Sequence, residues 1–137
     1  MTTPNVKSFK NNQQRGKDLE KRFMNYLSRQ GFWVHFMNPA PDGSQPFDII
    51  ACKDSTVYAF GCKTLDGDRF PLNRIEDNQR TAFQLMNKKG NYLTYFVIEV
   101  EKDVVKFIPS MTLEKIIREG KKSIEMRGLH SAYIGCE

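Results

Sequence analysis

Pro46-Phe47-Asp48-Ile49-Ile50-Ala51 and, a short turn later, Tyr58-Ala59-Phe60-Gly61-Cys62-Lys63 are the stretches that decide the fold. Both are apolar runs of strand length, and Lys53-Asp54-Ser55 between them suits a hairpin turn. Each carries one charge in an otherwise apolar setting, Asp48 in the first and Lys63 at the end of the second. Side chains alternate along a strand, so Gly61 and Lys63 share a face and Cys62 points away. In the natural hairpin register, Asp48, position 61 and Lys63 converge at one edge of the sheet.

An aspartate inside Phe-Asp-Ile-Ile-Ala is costly to bury without a partner. Alone it has two equal readings, a structural carboxylate bonded to a loop or a functional one. Lys63 across the hairpin tilts the balance toward function. Paired carboxylates at such a site would repel, and a divalent cation relieves the repulsion; oxygen donors select Mg2+ or Mn2+. The cation would activate a water against a phosphodiester, with the lysine orienting that water or stabilising transition-state charge.

Outward from the hairpin, the apolar residues Leu19, Phe23, Tyr26 and Leu27 recur at helical spacing, so residues 16–30 form an amphipathic helix closed by Gly31. Residues 32–37 form a short strand, and 38–44, with two prolines and a glycine, a loop. Residues 65–72 are a polar, charged loop. Asn73 with Glu76 three residues on predicts a capping-box start for a helix that ends before Gly90. Residues 92–100 and 104–108 are strands, 112–119 a short helix, and the last fifteen or so residues carry no clear pattern. The order α-β-β-β-α-β-β-α predicts an α/β (α+β) fold, a central mixed sheet flanked by helices.

The chain has 137 residues, enough for one domain. Residues 1–14, rich in Asn, Gln, Thr and Lys, are expected to form a flexible polar and basic arm, and residues 15–137 the single domain. A net charge of +5 favours a polyanionic partner only weakly. No apolar run approaches the roughly 20 residues that cross a bilayer, and no signal-peptide core is present. Three cysteines, Cys52, Cys62 and Cys136, have no metal-ligand spacing and an odd count, which points to a reduced, cytoplasmic setting.

Further candidates come from the helices. Glu20, beside the apolar stripe of the first helix, either reaches the metal or its water or is a surface glutamate paired with Lys17. On the second long helix the inward stripe is Ile75, Gln79, Ala82, Phe83 and Met86, so an amide occupies a core-facing slot and needs partners; an active-site lining role accounts for it best. Lys7, Lys10, Arg15, Lys17, Arg69 and Arg74 are candidate DNA-phosphate contacts, as are Lys88 and Lys89, with a solvated basic face as the alternative. His35 and His130 have no companion at ligand spacing, and Trp33 is expected in the core.

Taken together, Gly16-x-x-x-Glu20, Pro46-x-Asp48, x-x-Lys63 and the helical Gln79 resemble the PD-(D/E)xK nuclease superfamily, and within it the Holliday-junction resolvases of the RecU and archaeal Hjc types. The resemblance spans about residues 15–110. It implies a restriction-endonuclease-like core and a homodimer that nicks four-way DNA junctions symmetrically with Mg2+ (or Mn2+) in a prokaryotic or phage-infected cell. By position, it implies that Asp48 is a metal ligand, Lys63 the catalytic lysine, Glu20 a supporting acid and possible ligand, the Cys62 backbone carbonyl a further ligand, and Gln79 a residue that positions water or metal. Gly61 departs from the pattern, because the motif has Glu or Asp there. A single glutamate-to-glycine change is the preferred account, and a naturally disarmed binder the other. Another nuclease of the same fold, of repair or restriction type, a non-catalytic DNA-binding pseudonuclease, and a protein-binding adaptor remain as alternatives.

Overall fold

The computed structural model describes residues 4–136, with side chains from residue 13 onward. A six-stranded sheet has the order β1-β2-β3-β5-β6-β8, with β1 Trp33–Phe36, β2 Ile49–Lys53, β3 Thr56–Thr64, β5 Thr94–Glu101, β6 Val104–Pro109 and β8 Ser131–Tyr133. Only β3 and β5 run parallel; their neighbours are antiparallel, so the sheet is mixed, as predicted. A second, two-stranded sheet pairs β4 Arg69–Pro71 with β7 Ser123–Glu125.

The helices α1 Pro4–Arg29, α2 Asp77–Lys88 and α3 Ser110–Arg118 cover the two faces. Leu19, Phe23 and Leu27 of α1 pack on Ile49, Ala51, Phe60, Cys62 and Val97. Phe83 of α2 and Leu113 of α3 pack on the opposite face with Ala59, Phe96, Ile98 and Ile108. The alternation along β3 thus sends residue 60 to α1 and residue 59 to α2. The apolar spacing of each helix is what binds it to its face of the sheet.

Local signals account for the element ends. Gly31 and Gly90 both take positive φ, and the N–H groups of Phe32 and Asn91 reach back five residues to Leu27 and Met86, closing α1 and α2 with left-handed caps. Asp54 and Ser55 both have positive φ, the backbone of a two-residue hairpin turn whose twist matches the flanking strands.

Several expectations change. Helix α1 begins at Pro4 and not near residue 16. The polar segment has no apolar stripe, but adding residues to a helix already held by tertiary contacts gains a hydrogen bond each without a new nucleation cost. Asn73 does not cap α2; it lies in a 3-10 turn, Leu72–Arg74, and Glu76 is the N-cap residue without a side-chain cap. Ile75 is drawn into the core, which holds this segment extended before the helix starts. The presumed loop 65–72 contains β4, held by the fully buried Phe70. Trp33 is 58% exposed on the edge strand, its ring parallel to that of His35, and not in the core.

Candidate metal and phosphodiester site

The site forms where β2 gives out alongside β3. Asp48 N donates to the Phe60 carbonyl, and the next backbone donor on that edge of β3, Cys62 N–H, has no further β2 carbonyl to meet. The Asp48 carboxylate takes that place, with Oδ2 accepting Cys62 N–H at 2.7 Å. The Asp48 carbonyl in turn accepts Met37 N–H, so three segments meet at one aspartate. Backbone N–H and C=O of one strand residue point the same way, so the Cys62 carbonyl also faces past the end of β2.

Glu20 of α1 closes the site from one side of the sheet, and Glu76 and Gln79 at the start of α2 close it from the other. Burial, together with the neighbouring Asp48 charge, pushes the Glu20 carboxyl up to about 7, against the pull of Lys63 and Lys17. Burial likewise raises the Asp48 carboxyl, opposed by its Cys62 hydrogen bond and the Lys63 charge and reinforced by Glu76. Cys62 is buried and its thiol lies well above the usual range, because of burial first and the Asp48 and Glu20 charges next. It faces the α1 core and supplies no side-chain donor.

Lys63 Nζ lies against both Glu76 oxygens, at 2.8 and 3.0 Å. Gln79 is 4% exposed, and among the described residues its Oε1 has no hydrogen-bond partner. A Cβ built on Gly61 would sit 3.5 Å from that oxygen and 3.2 Å from the Phe96 ring. An orphaned buried carbonyl costs about 1–3 kcal/mol, so this oxygen calls for a donor or a cation that the described residues do not supply.

Asp48 and Lys63 lie together beside Gly61, the convergence expected of the hairpin; from the helices, Glu20 comes within electrostatic reach of both and Gln79 points at Gly61. They do not complete a cation site. Among the described residues, no three of His, Cys, Asp and Glu are placed to hold a metal ion. Asp48 is tied to Cys62 N–H, Glu76 to Lys63, and position 61 has no side chain. Glu76, which the sequence offers as part of a helix cap, stands at the site instead; 13 residues from Lys63, it gives no local signal of that pairing.

The candidate phosphate-binding residues are mostly engaged elsewhere. Arg15 makes two 3.0 Å bonds to Asp66. Arg69 donates to Ser123 Oγ, and Arg74 donates to the Thr64 carbonyl and lies over the Phe70 ring. Lys17 is exposed, while the side chains of Lys7 and Lys10 fall outside the described residues. A cavity of about 640 Å3 lies away from this chemistry, between α1 and the sheet aromatics Tyr58, Tyr95 and Phe107.

Comparison with known proteins agrees with this architecture. A Holliday junction resolvase of Archaeoglobus fulgidus, Hjc, superposes with a TM-score of 0.60 at 19% identity, over 80% of this chain and 88% of that one. At that identity the likeness shows the fold. Nothing among curated proteins matches. Residues 11–131 match the profile of the archaeal Holliday junction resolvases (Hjc), one of the two resolvase types that the motifs resemble, and the chain belongs to that family.

Proposed function

We propose that the chain is a structure-selective DNA endonuclease acting on four-way junctions, with hydrolysis of phosphodiesters in the form that carries an acid at position 61. What supports this reading is the meeting of Asp48, Lys63 and the unpartnered Gln79 oxygen around Gly61, in a chain of the resolvase family. The family's nucleases are metal-dependent. With a carboxylate at 61, the donors for Mg2+ or Mn2+ would be that carboxylate, Asp48 and the Cys62 carbonyl, with Glu20 alongside. Lys63 would offset the negative charge that builds on the attacked phosphate, and Gln79 would position the site from α2.

A four-way junction is two-fold symmetric, so paired nicks call for two sites and hence a homodimer. The place of work is the compartment that holds DNA, the cytoplasm of a prokaryotic cell. As the sequence stands, Gly61 favours a second reading, a DNA-binding protein that holds junctions without cutting them.

The test is Gly61→Glu assayed with Mg2+ on synthetic four-way, flap, nicked and linear DNA. Symmetric nicking of the four-way junction is the expected result. Preferential cutting of another substrate moves the chain to a repair or restriction type of the same fold. A folded Gly61→Glu protein that leaves every substrate intact removes the nuclease reading. Junction binding by gel shift, with or without cutting, separates both readings from a protein-binding adaptor.

A further inference from the structure

An aromatic pair stands exposed on the same face of the sheet as the site. Val34 and Phe36 of β1 pack in the α1 core, so alternation turns Trp33 and His35 to the other face, the one that carries Gly61 and Lys63. Trp33 pairs with Cys52 and Cys52 with Val57, which puts one row of that face beside the indole. The indole is 58% exposed and parallel to the His35 ring to within 6°, with centroids 6.0 Å apart. The neighbouring imidazole limits its rotamers, so a flat partner meets a surface already oriented.

The surroundings select that partner. Neither β1 nor β2 carries an acidic side chain; Lys53 ends β2 and Arg29 ends α1 just before the pair, and Asp54 lies beyond them in the turn. An aromatic surface with cations at its margin suits a nucleobase on a phosphate backbone. Met37, four residues beyond Trp33, donates its N–H to the Asp48 carbonyl. Pair and site are therefore about 13 Å apart along the strand, roughly four base steps. We propose that Trp33, steadied by His35, is a stacking platform for a nucleobase of the DNA strand held at the site, and that it gives the protein its preference for branched DNA. The assignment rests on the DNA-nuclease reading above. Bases at an open branch point lack a stacking neighbour on one side, whereas those of an uninterrupted duplex do not.

Trp33 is the chain's single tryptophan, so its fluorescence reports on this spot alone. The full chain is titrated in metal-free buffer with a synthetic four-way junction or with relaxed closed-circular duplex, which has no ends. The junction should quench the emission and the circle should leave it unchanged. By gel shift, Trp33→Ala should weaken junction binding about tenfold and circle binding less than threefold or so, with Trp33→Phe within about threefold of wild type on both. The salt dependence of junction binding should stay the same, because no phosphate contact is lost. Circular dichroism shows that each variant is folded. Junction binding with unchanged emission, wild-type affinity in Trp33→Ala, or an equal loss on junction and circle overturns the assignment and leaves the nuclease reading standing. Emission that shifts with protein concentration before DNA is added gives this face to a second copy of the chain, and also overturns it. If the wild type binds neither DNA, both readings fall.

Discussion

Asp48 Oδ2 accepts the backbone N–H of Cys62 at 2.7 Å, in the place where the next carbonyl of β2 would have been. One contact therefore does two jobs. It satisfies a ladder donor left over when β2 ends, and it holds a carboxylate at the sheet edge beside Lys63 and Glu20. The structural and functional readings of this aspartate, which compete in the sequence, describe the same hydrogen bond.

Asp48→Asn and Asp48→Ala should consequently separate. Asparagine keeps an acceptor for Cys62 N–H and removes a desolvated charge, so its stability should stay within about 0.5 kcal/mol of wild type or rise. Alanine strands the donor and should cost about 1–3 kcal/mol. Urea unfolding measures both.

Gln79→Met should stabilise the protein by about 1 kcal/mol, because an unpartnered buried oxygen is replaced by an apolar group of similar length. That corresponds to a melting temperature about 3 °C higher by calorimetry. A lower melting temperature would mean that the amide has a partner in solution.

A pH effect follows from the Arg22–Glu99–Asp103 cluster, which ties α1 to β5 and to the turn before β6. Arg22 donates to Glu99 at 3.0 Å and to Asp103 at 2.9 Å, and Glu99 also accepts Asp103 N–H. Burial alone would raise the Glu99 carboxyl, but the Arg22 and Asp103 bonds prevail and hold it below its ordinary 4.5. A carboxyl depressed on folding stabilises the protein above its unfolded value, and that contribution disappears as pH falls through the folded one. Arg22→Ala should cost roughly 2–3 kcal/mol at pH 7, discounted because the arginine is partly exposed. The gap from wild type should narrow as pH falls below about 4, measured by urea unfolding across pH.

Phe70→Ala should cost about 3–5 kcal/mol, since the ring is fully buried between the small sheet and the main core. Hydrogen exchange should show β4 and β7 losing protection before the six-stranded sheet does. Uniform loss across both sheets would show that the small sheet unfolds only with the rest.

Elements with long, regular patterns were legible in advance. Leu19, Phe23 and Leu27 predicted α1 and its buried face; the central hairpin and the inward stripe through Gln79 and Phe83 are where the residues placed them, with the expected turn 53–55 tightened to Asp54-Ser55 because Lys53 stays in β2. What escaped notice was short or non-local. β4, β7 and β8 have three residues each, too few for alternation to show, and Phe70, Ile124 and Ile134 are buried by partners distant in sequence. Trp33 misled because an aromatic on an apolar strand suggests a core, whereas β1 is an edge strand on which its ring stays exposed.

Taken by itself, the order of residues determined the strand hairpin, the helices on either side and the types of group brought near one edge, because helix and strand periods act over a few residues. It also determined that position 61 has no acid to offer. Only the tertiary structure decided who stands in that gap: Glu76 on Lys63, Glu20 half-buried beside Asp48, and a glutamine oxygen without a donor. Those relationships join α1, two strands and α2 across long separations, and they arise from packing and burial that no local pattern encodes.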